Sequence, residues 1–136
     1  MVQVELSKII IDEKRQEQII VLKEKGGGRQ FPIVIGFVEA SSIKMKLSGL
    51  KPPRPITHDL MAELLKSLGA IMECLIIDKM VDSTFFAKIK LKTADGHTKL
   101  VDCRPSDGIA LAVRCGSPIF VEEEVLKNVL IFDDNG

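Results

Sequence analysis

Asp102-Cys103-Arg104-Pro105-Ser106-Asp107-Gly108-Ile109-Ala110-Leu111-Ala112-Val113-Arg114-Cys115-Gly116-Ser117-Pro118-Ile119 reads as the end of a strand, a polar corner, a short helix, a stop and the start of another strand. Residues 97–103 alternate as in a half-buried strand. Pro105 then supplies a φ already suited to a helix start, Ser106 a hydroxyl able to cap free amides, and Asp107 a carboxylate that complements the positive end of the dipole. Ile109, Ala112 and Val113 give the apolar face of a helix over 106–114, which Gly116 and Pro118 end. Two carboxylates, a guanidinium and a hydroxyl thus fall within residues 102–107, on a rigid platform at a helix N-terminus.

Upstream of this corner, Asp95-Gly96 is the strongest hairpin signal in the chain. It follows a strand in which Phe85, Ala87, Ile89 and Leu91 face a core and Lys88, Lys90 and Lys92 face away. Ile71 to Met80 is apolar enough for a central strand, with a turn at Asp82-Ser83. Before it, Thr57 is positioned to cap a helix whose Leu60, Met61, Leu64, Leu65 and Leu68 form one stripe expected to cover a sheet face, ending at Gly69. Lys51-Pro52-Pro53-Arg54-Pro55 is a stiff connector. Ala40, Ile43, Leu47 and Leu50 repeat with helical spacing. The N-terminal third reads as three antiparallel strands, with a charged turn over 12–17, a glycine turn at 26–28, and Pro32 placing the third strand near an edge. Downstream, 119–121 is a short strand and a brief helix follows with Val125, Leu126 and Val129 inward. A parallel pairing of strand 97–103 with strand 119–121 is allowed by this order but short for such a unit. The segregated runs predict an α+β fold with a largely antiparallel or mixed sheet and helices packed on it. A single domain is expected over 1–136, its core about 2–126, with 127–136 as a C-terminal tail.

The 136 residues, 46% of them apolar, suffice to remove roughly two-thirds of the unfolded surface from water without staples. Nineteen basic and nineteen acidic side chains cancel, so the global field does not mark a general nucleic-acid or membrane binder and any anion must be held locally. Three widely spaced cysteines argue against a disulfide framework and a CxxC zinc site. Neither a signal peptide nor a membrane-length apolar run is evident, and the expected setting is cytoplasmic.

Chemistry is concentrated in three places: Glu39, the segment Arg54-Pro55-Ile56-Thr57-His58-Asp59, and the 102–107 corner. A helix N-terminus with an adjacent arginine is a seat for phosphate, which points to Arg54, Arg104 and Ser106 as phosphate-binding residues. Interleaved carboxylates and a histidine suit general-base work, proton transfer and a divalent metal held between protein and phosphate. On that basis His58, Asp59, Asp102 and Asp107 are candidate catalytic residues, and Glu39, Asp102 and Asp107 candidate metal ligands, with magnesium or manganese the expected ion and no organic cofactor. The same residues equally suit structural duty: Asp59 and Asp107 neutralising helix ends, Arg104 pairing with Asp102, and Thr57 and Ser106 as ordinary caps. His97 and the lysine row read as solvated. The cysteines read as inert, with no histidine nearby in sequence.

Taken together, Gly36-Phe37-Val38-Glu39-Ala40, Arg54-Pro55-Ile56-Thr57-His58-Asp59-Leu60, Phe85-Phe86-Ala87, the Asp102 to Leu111 segment and Ser117-Pro118-Ile119 resemble the bifunctional nuclease domain family. The resemblance runs in order to about Leu126. It implies an α+β domain, commonly a homodimer or higher homo-oligomer, with some plant members cleaving both RNA and DNA. Many bacterial members carry a further small C-terminal domain, absent from these 136 residues. Position 108 is glycine where alanine is more usual, which weakens the helix and is expected to loosen the corner. The implied activity is metal-assisted cleavage of RNA and DNA, in a cleft that brings the helix starts at 57 and 106 together. The alternative is a non-enzymatic dimeric binding or regulatory module for a protein or anionic ligand.

Overall fold

Alternating apolar residues build the N-terminal hairpins as expected, and in the computed structural model, which describes residues 1–12, 14, 17–129 and 131–133, they open a mixed α+β fold. The elements are β1 (Val2–Ile10), β2 (Glu17–Glu24), β3 (Arg29–Gly36), α1 (Phe37–Leu47), α2 (Thr57–Ser67), β4 (Ile71–Val81), β5 (Thr84–Lys92), β6 (Thr98–Cys103), α3 (Pro105–Cys115), β7 (Ile119–Val121), α4 (Glu123–Leu126) and β8 (Phe132–Asp133). Half of the charged turn expected at 12–17 lies outside the described residues.

The described strands form one eight-stranded sheet, ordered β6-β5-β4-β7-β1-β2-β3-β8. β7 is its seam. Ile119 pairs in parallel with Leu75 of β4 and antiparallel with Val4 of β1, and the amide of Leu75 and the carbonyl of Ile77 bond to Pro118 and Glu122 on either side, each at 3.0 Å. The parallel pairing considered for β6 and β7 does not form, because α3 carries the chain past β5 to the far side of β4. Pro32 lies opposite Val21 on β3, beyond the two residues that β8 covers, where among the described residues the strand has a paired neighbour on one side only. Within residues 127–136, expected to be a tail, β8 pairs with Arg29 and Gln30.

The sheet coils strongly enough that Phe31 of β3 and Phe85 of β5 meet with ring centroids 6.1 Å apart. α3 fills the resulting concavity. Ile109, Ala110, Leu111 and Ala112 are all buried, so this helix is enclosed on several faces, where its sequence suggested a single apolar face. Gly108 admits the close approach, since a Cβ there would lie 2.4 Å from Leu75 Cδ1 and 3.1 Å from Cys103 Sγ. The glycine therefore seats the corner tightly, where the sequence suggested loosening.

α1 and α2 pack on α3 as an outer layer. Consequently the leucine stripe of α2 does not cover the sheet: Leu60, Leu64 and Leu68 are 51%, 54% and 74% exposed, while Met61, Ala62 and Leu65 meet the core. α4 turns Val125 and Leu126 inward, with Val129 partly buried beside them. None of the described helices is long and apolar enough to cross a membrane.

Candidate active site

The starts of three helices converge on one cleft of about 490 Å³. Its walls include Phe37, Val38 and Glu39 of α1, Ile56, Thr57 and His58 at the start of α2, and Arg104 and Asp107 at the start of α3. Each start has a sequence cause. Gly36 leaves room for Glu39 to fold back over the N-terminus of α1, since a Cβ on it would lie 2.3 Å from Glu39 Oε2. The proline connector ends at Ile56, whose amide donates to Asp59 Oδ2 at 3.2 Å. Thr57, expected to be the cap, is instead the first helical residue, and that Asp59 bond reaches back to the cap position. Pro105 opens α3 with Arg104 as its cap residue.

A continuous chain of hydrogen bonds links the three helices. Arg104 Nε donates to Asp107 Oδ2 at 2.9 Å and its Nη2 to Glu39 Oε1 at 2.8 Å. The other Asp107 oxygen lies 3.0 Å from His58 Nε2, and His58 Nδ1 lies 2.7 Å from Ser42 Oγ. His58 and Ser42 are 4% and 5% exposed, whereas the Arg104 side chain is 66% exposed at the mouth. Burial pushes the Asp107 carboxyl up, but hydrogen bonds from Arg104 and His58 outweigh it and hold the group below its ordinary range. Bonds to Asp107 and Glu39 in turn raise the Arg104 guanidinium.

A second network lies behind the first. Arg114, whose side chain is 4% exposed, donates to Asp59 Oδ1 at 2.7 Å, to the Ser42 carbonyl at 3.1 Å and to the Ala110 carbonyl at 2.9 Å. Its hydrogen bond to Asp59 lowers that carboxyl. Asp107 and Arg114 are seven residues apart and so share one face of α3, where they take the consecutive His58 and Asp59 of α2.

Of the residues expected at the site, Glu39, His58, Arg104 and Asp107 come together. Asp59 stands next to them but is committed to Arg114. Asp102 does not join. Strand alternation turns Cys103 toward α3 and Asp102 to the opposite face, where it is 75% exposed and lies 3.4 Å from Lys88, itself 3.5 Å from Asp78. The expected Arg104–Asp102 pair is therefore replaced by Arg104–Asp107 and Arg104–Glu39. Ser106 is buried and faces a separate depression of about 460 Å³ between β3 and the start of β5. Arg54 is exposed on the connector and is not among the residues lining the cleft.

The proposed metal set does not assemble. Asp102 lies on the other sheet face, and the Arg104 guanidinium bonds to both Glu39 and Asp107. Among the described residues no three of His, Cys, Asp or Glu are grouped to hold an ion. Ser42 and Arg114 escaped the sequence reading, because a serine between apolar helical positions and an arginine in a last turn have bland explanations. His97, 73% exposed and 2.9 Å from Asp95, is solvated as expected. Burial raises the thiols of Cys74 and Cys115, and with nearby carboxylates takes Cys103 to about 11, which keeps all three protonated at neutral pH.

Known proteins resemble this chain over most of its length. An uncharacterised protein of Mycobacterium tuberculosis (strain ATCC 25618 / H37Rv) is 39% identical over 138 residues, spanning 99% of this chain and 81% of its own. Bifunctional nuclease 1 of Arabidopsis thaliana is 30% identical over 76% of this chain, and bifunctional nuclease 2 of Oryza sativa subsp. japonica 27% over 85%. The matched part makes up 33% and 36% of those two plant proteins. A model of the bifunctional nuclease domain matches residues 20–134, so that with most of β2 and all of β3 through β8 inside the matched region the chain belongs to the bifunctional nuclease domain family.

Proposed function

We propose that the cleft cleaves phosphodiester bonds of RNA and DNA. The observation that carries this reading is the convergence of three helix starts and one exposed arginine on a buried His58 paired with the half-buried Asp107. Amides in the first turn of a helix favour an anion, and Arg104 spends two of its five N–H groups on Glu39 and Asp107, leaving others for phosphate oxygens. His58, oriented by ionised Asp107, is the group suited to moving a proton.

The test is cleavage of labelled single-stranded RNA and DNA, in magnesium, manganese or chelator, by wild type, His58→Gln and Arg104→Ala. Loss of about 10²–10⁴-fold is expected for the histidine variant and about 10²-fold or more for the arginine variant. Variants as active as wild type would sink the proposal. We include in it a cytoplasmic setting and a homodimer or higher homo-oligomer, the latter read by sedimentation.

A second reading has its own support. Glu39 and Asp107 outnumber Arg104, and the rim residues Phe37 and Val38 are exposed and apolar, which suits a binding or regulatory module for a protein. Salt separates the two: a nucleic-acid ligand is released steeply as salt rises, and an apolar protein contact is not.

A further inference from the structure

Both ring nitrogens of His58 are occupied by protein groups, Nε2 by Asp107 at 3.0 Å and Nδ1 by Ser42 Oγ at 2.7 Å. Asp107 is an ionised acceptor at neutral pH, so Nε2 carries the hydrogen. In the tautomer protonated at Nε2, Nδ1 is the acceptor and the Ser42 hydroxyl the donor. A water or substrate hydroxyl therefore finds no free ring nitrogen. The proton that His58 is placed to take is that of Ser42. This serine lines the cleft, and Arg114 holds its backbone carbonyl at 3.1 Å.

We propose that Ser42 is the nucleophile of a Ser42–His58–Asp107 relay and attacks the phosphorus of a phosphodiester seated at Arg104; this rests on the phosphodiesterase reading above. In the first half, the Oγ–P bond forms as the hydroxyl proton passes to His58 Nδ1. The P–O bond to the leaving nucleoside breaks, and that oxygen takes the proton from Nδ1. In the second half, His58 removes a proton from water, the hydroxide attacks phosphorus, the Oγ–P bond breaks, and Ser42 recovers its proton. The balance is one phosphodiester and one water converted to a phosphomonoester and an alcohol, with Asp107 remaining ionised. Relative to the serine-protease triad, the two ring nitrogens exchange roles.

The experiment treats the wild-type chain with diisopropyl phosphofluoridate, which phosphorylates activated serines with release of fluoride, and locates the adduct by mass spectrometry. Cleavage of RNA and DNA is measured on the same preparations, with Ser42→Ala and His58→Gln alongside. We expect one adduct, on Ser42, forming about 10²-fold or more slowly in the histidine variant, and no cleavage by Ser42→Ala. Because the adduct is read on the wild-type protein, misfolding of a variant does not blunt the test. An adduct on Ser42 without cleavage of either nucleic acid upholds the relay and overturns its phosphodiester substrate. Cleavage by Ser42→Ala, with Ser42 unlabelled in wild type, overturns the inference and leaves the phosphodiesterase reading standing. Neither adduct nor cleavage overturns both.

Discussion

At the scale of single residues, His58 and Asp59 divide the work of the start of α2. His58 faces Ser42 and Asp107 at the cleft, whereas Asp59 faces the buried guanidinium of Arg114, which also holds the Ser42 carbonyl. Removing Asp59 would leave that guanidinium desolvated without a counter-charge. Asp59→Ala is therefore expected to lower stability by roughly 3 kcal/mol, the low end for a broken buried pair because the Asp59 carboxylate keeps some contact with water. Chemical denaturation measures it. The Asp59 and Asp107 carboxyls both titrate below their ordinary value of 3.8 in the folded chain. A folded pKa below the unfolded one gives stability that is present above the unfolded value and is lost as pH falls through the folded value. The melting temperature should accordingly drop below about pH 4, and the acid limb should be shallower in Asp59→Ala, which has one depressed carboxyl fewer to lose. An unchanged limb would show that Arg114 does not depress Asp59.

Among the elements, α3 is the one every other part of the site depends on, and Gly108 is where it comes closest to the sheet. Alanine at 108 would regain about 1 kcal/mol of helix propensity, yet its methyl would have to displace the buried Leu75 and crowd Cys103. Overpacking of that kind costs about 1–3 kcal/mol, so Gly108→Ala is expected to destabilise by about 1 kcal/mol net, read as a lower denaturation midpoint with an unchanged slope. A stabilised variant would mean that α3 does not approach β4 so closely. The exposed side of α2 gives the opposite expectation. Leu64→Gln should change stability by no more than about 0.5 kcal/mol, because Leu64 is 54% exposed. A loss of about 2 kcal/mol or more would return the leucine stripe to the core.

For the whole molecule, the strand pairing that joins the two antiparallel halves of the sheet runs, among the described residues, through the three residues of β7. Ile119 and Val121 are buried there, and α3 reaches β7 directly from the corner that carries Arg104 and Asp107. The cleft and the seam are thus ends of one covalent segment, and opening the seam requires unpairing β1 and β4 together. Hydrogen exchange should show the amides of Phe120 and Val121 among the slowest in the chain, opening only with global unfolding. Fast exchange there would divide the protein into two independently opening halves.

Sequence alone determined most of the elements and four of the five groups in the cleft chain, because periodicity, caps and turns are local. The 102–107 corner, the proline connector and the glycine before Glu39 each announce a helix start without help from the rest of the fold. What periodicity does not encode is which partner covers a given face. The direction of Asp102, the outward leucines of α2, the position of β7 between β4 and β1, and the meeting of Ser42 with His58 all depend on contacts between residues distant in sequence. Those contacts are chosen by the combined burial of the whole core, so Ser42, inconspicuous within its own helix, acquires a partner only when α2 is laid against α1 and α3.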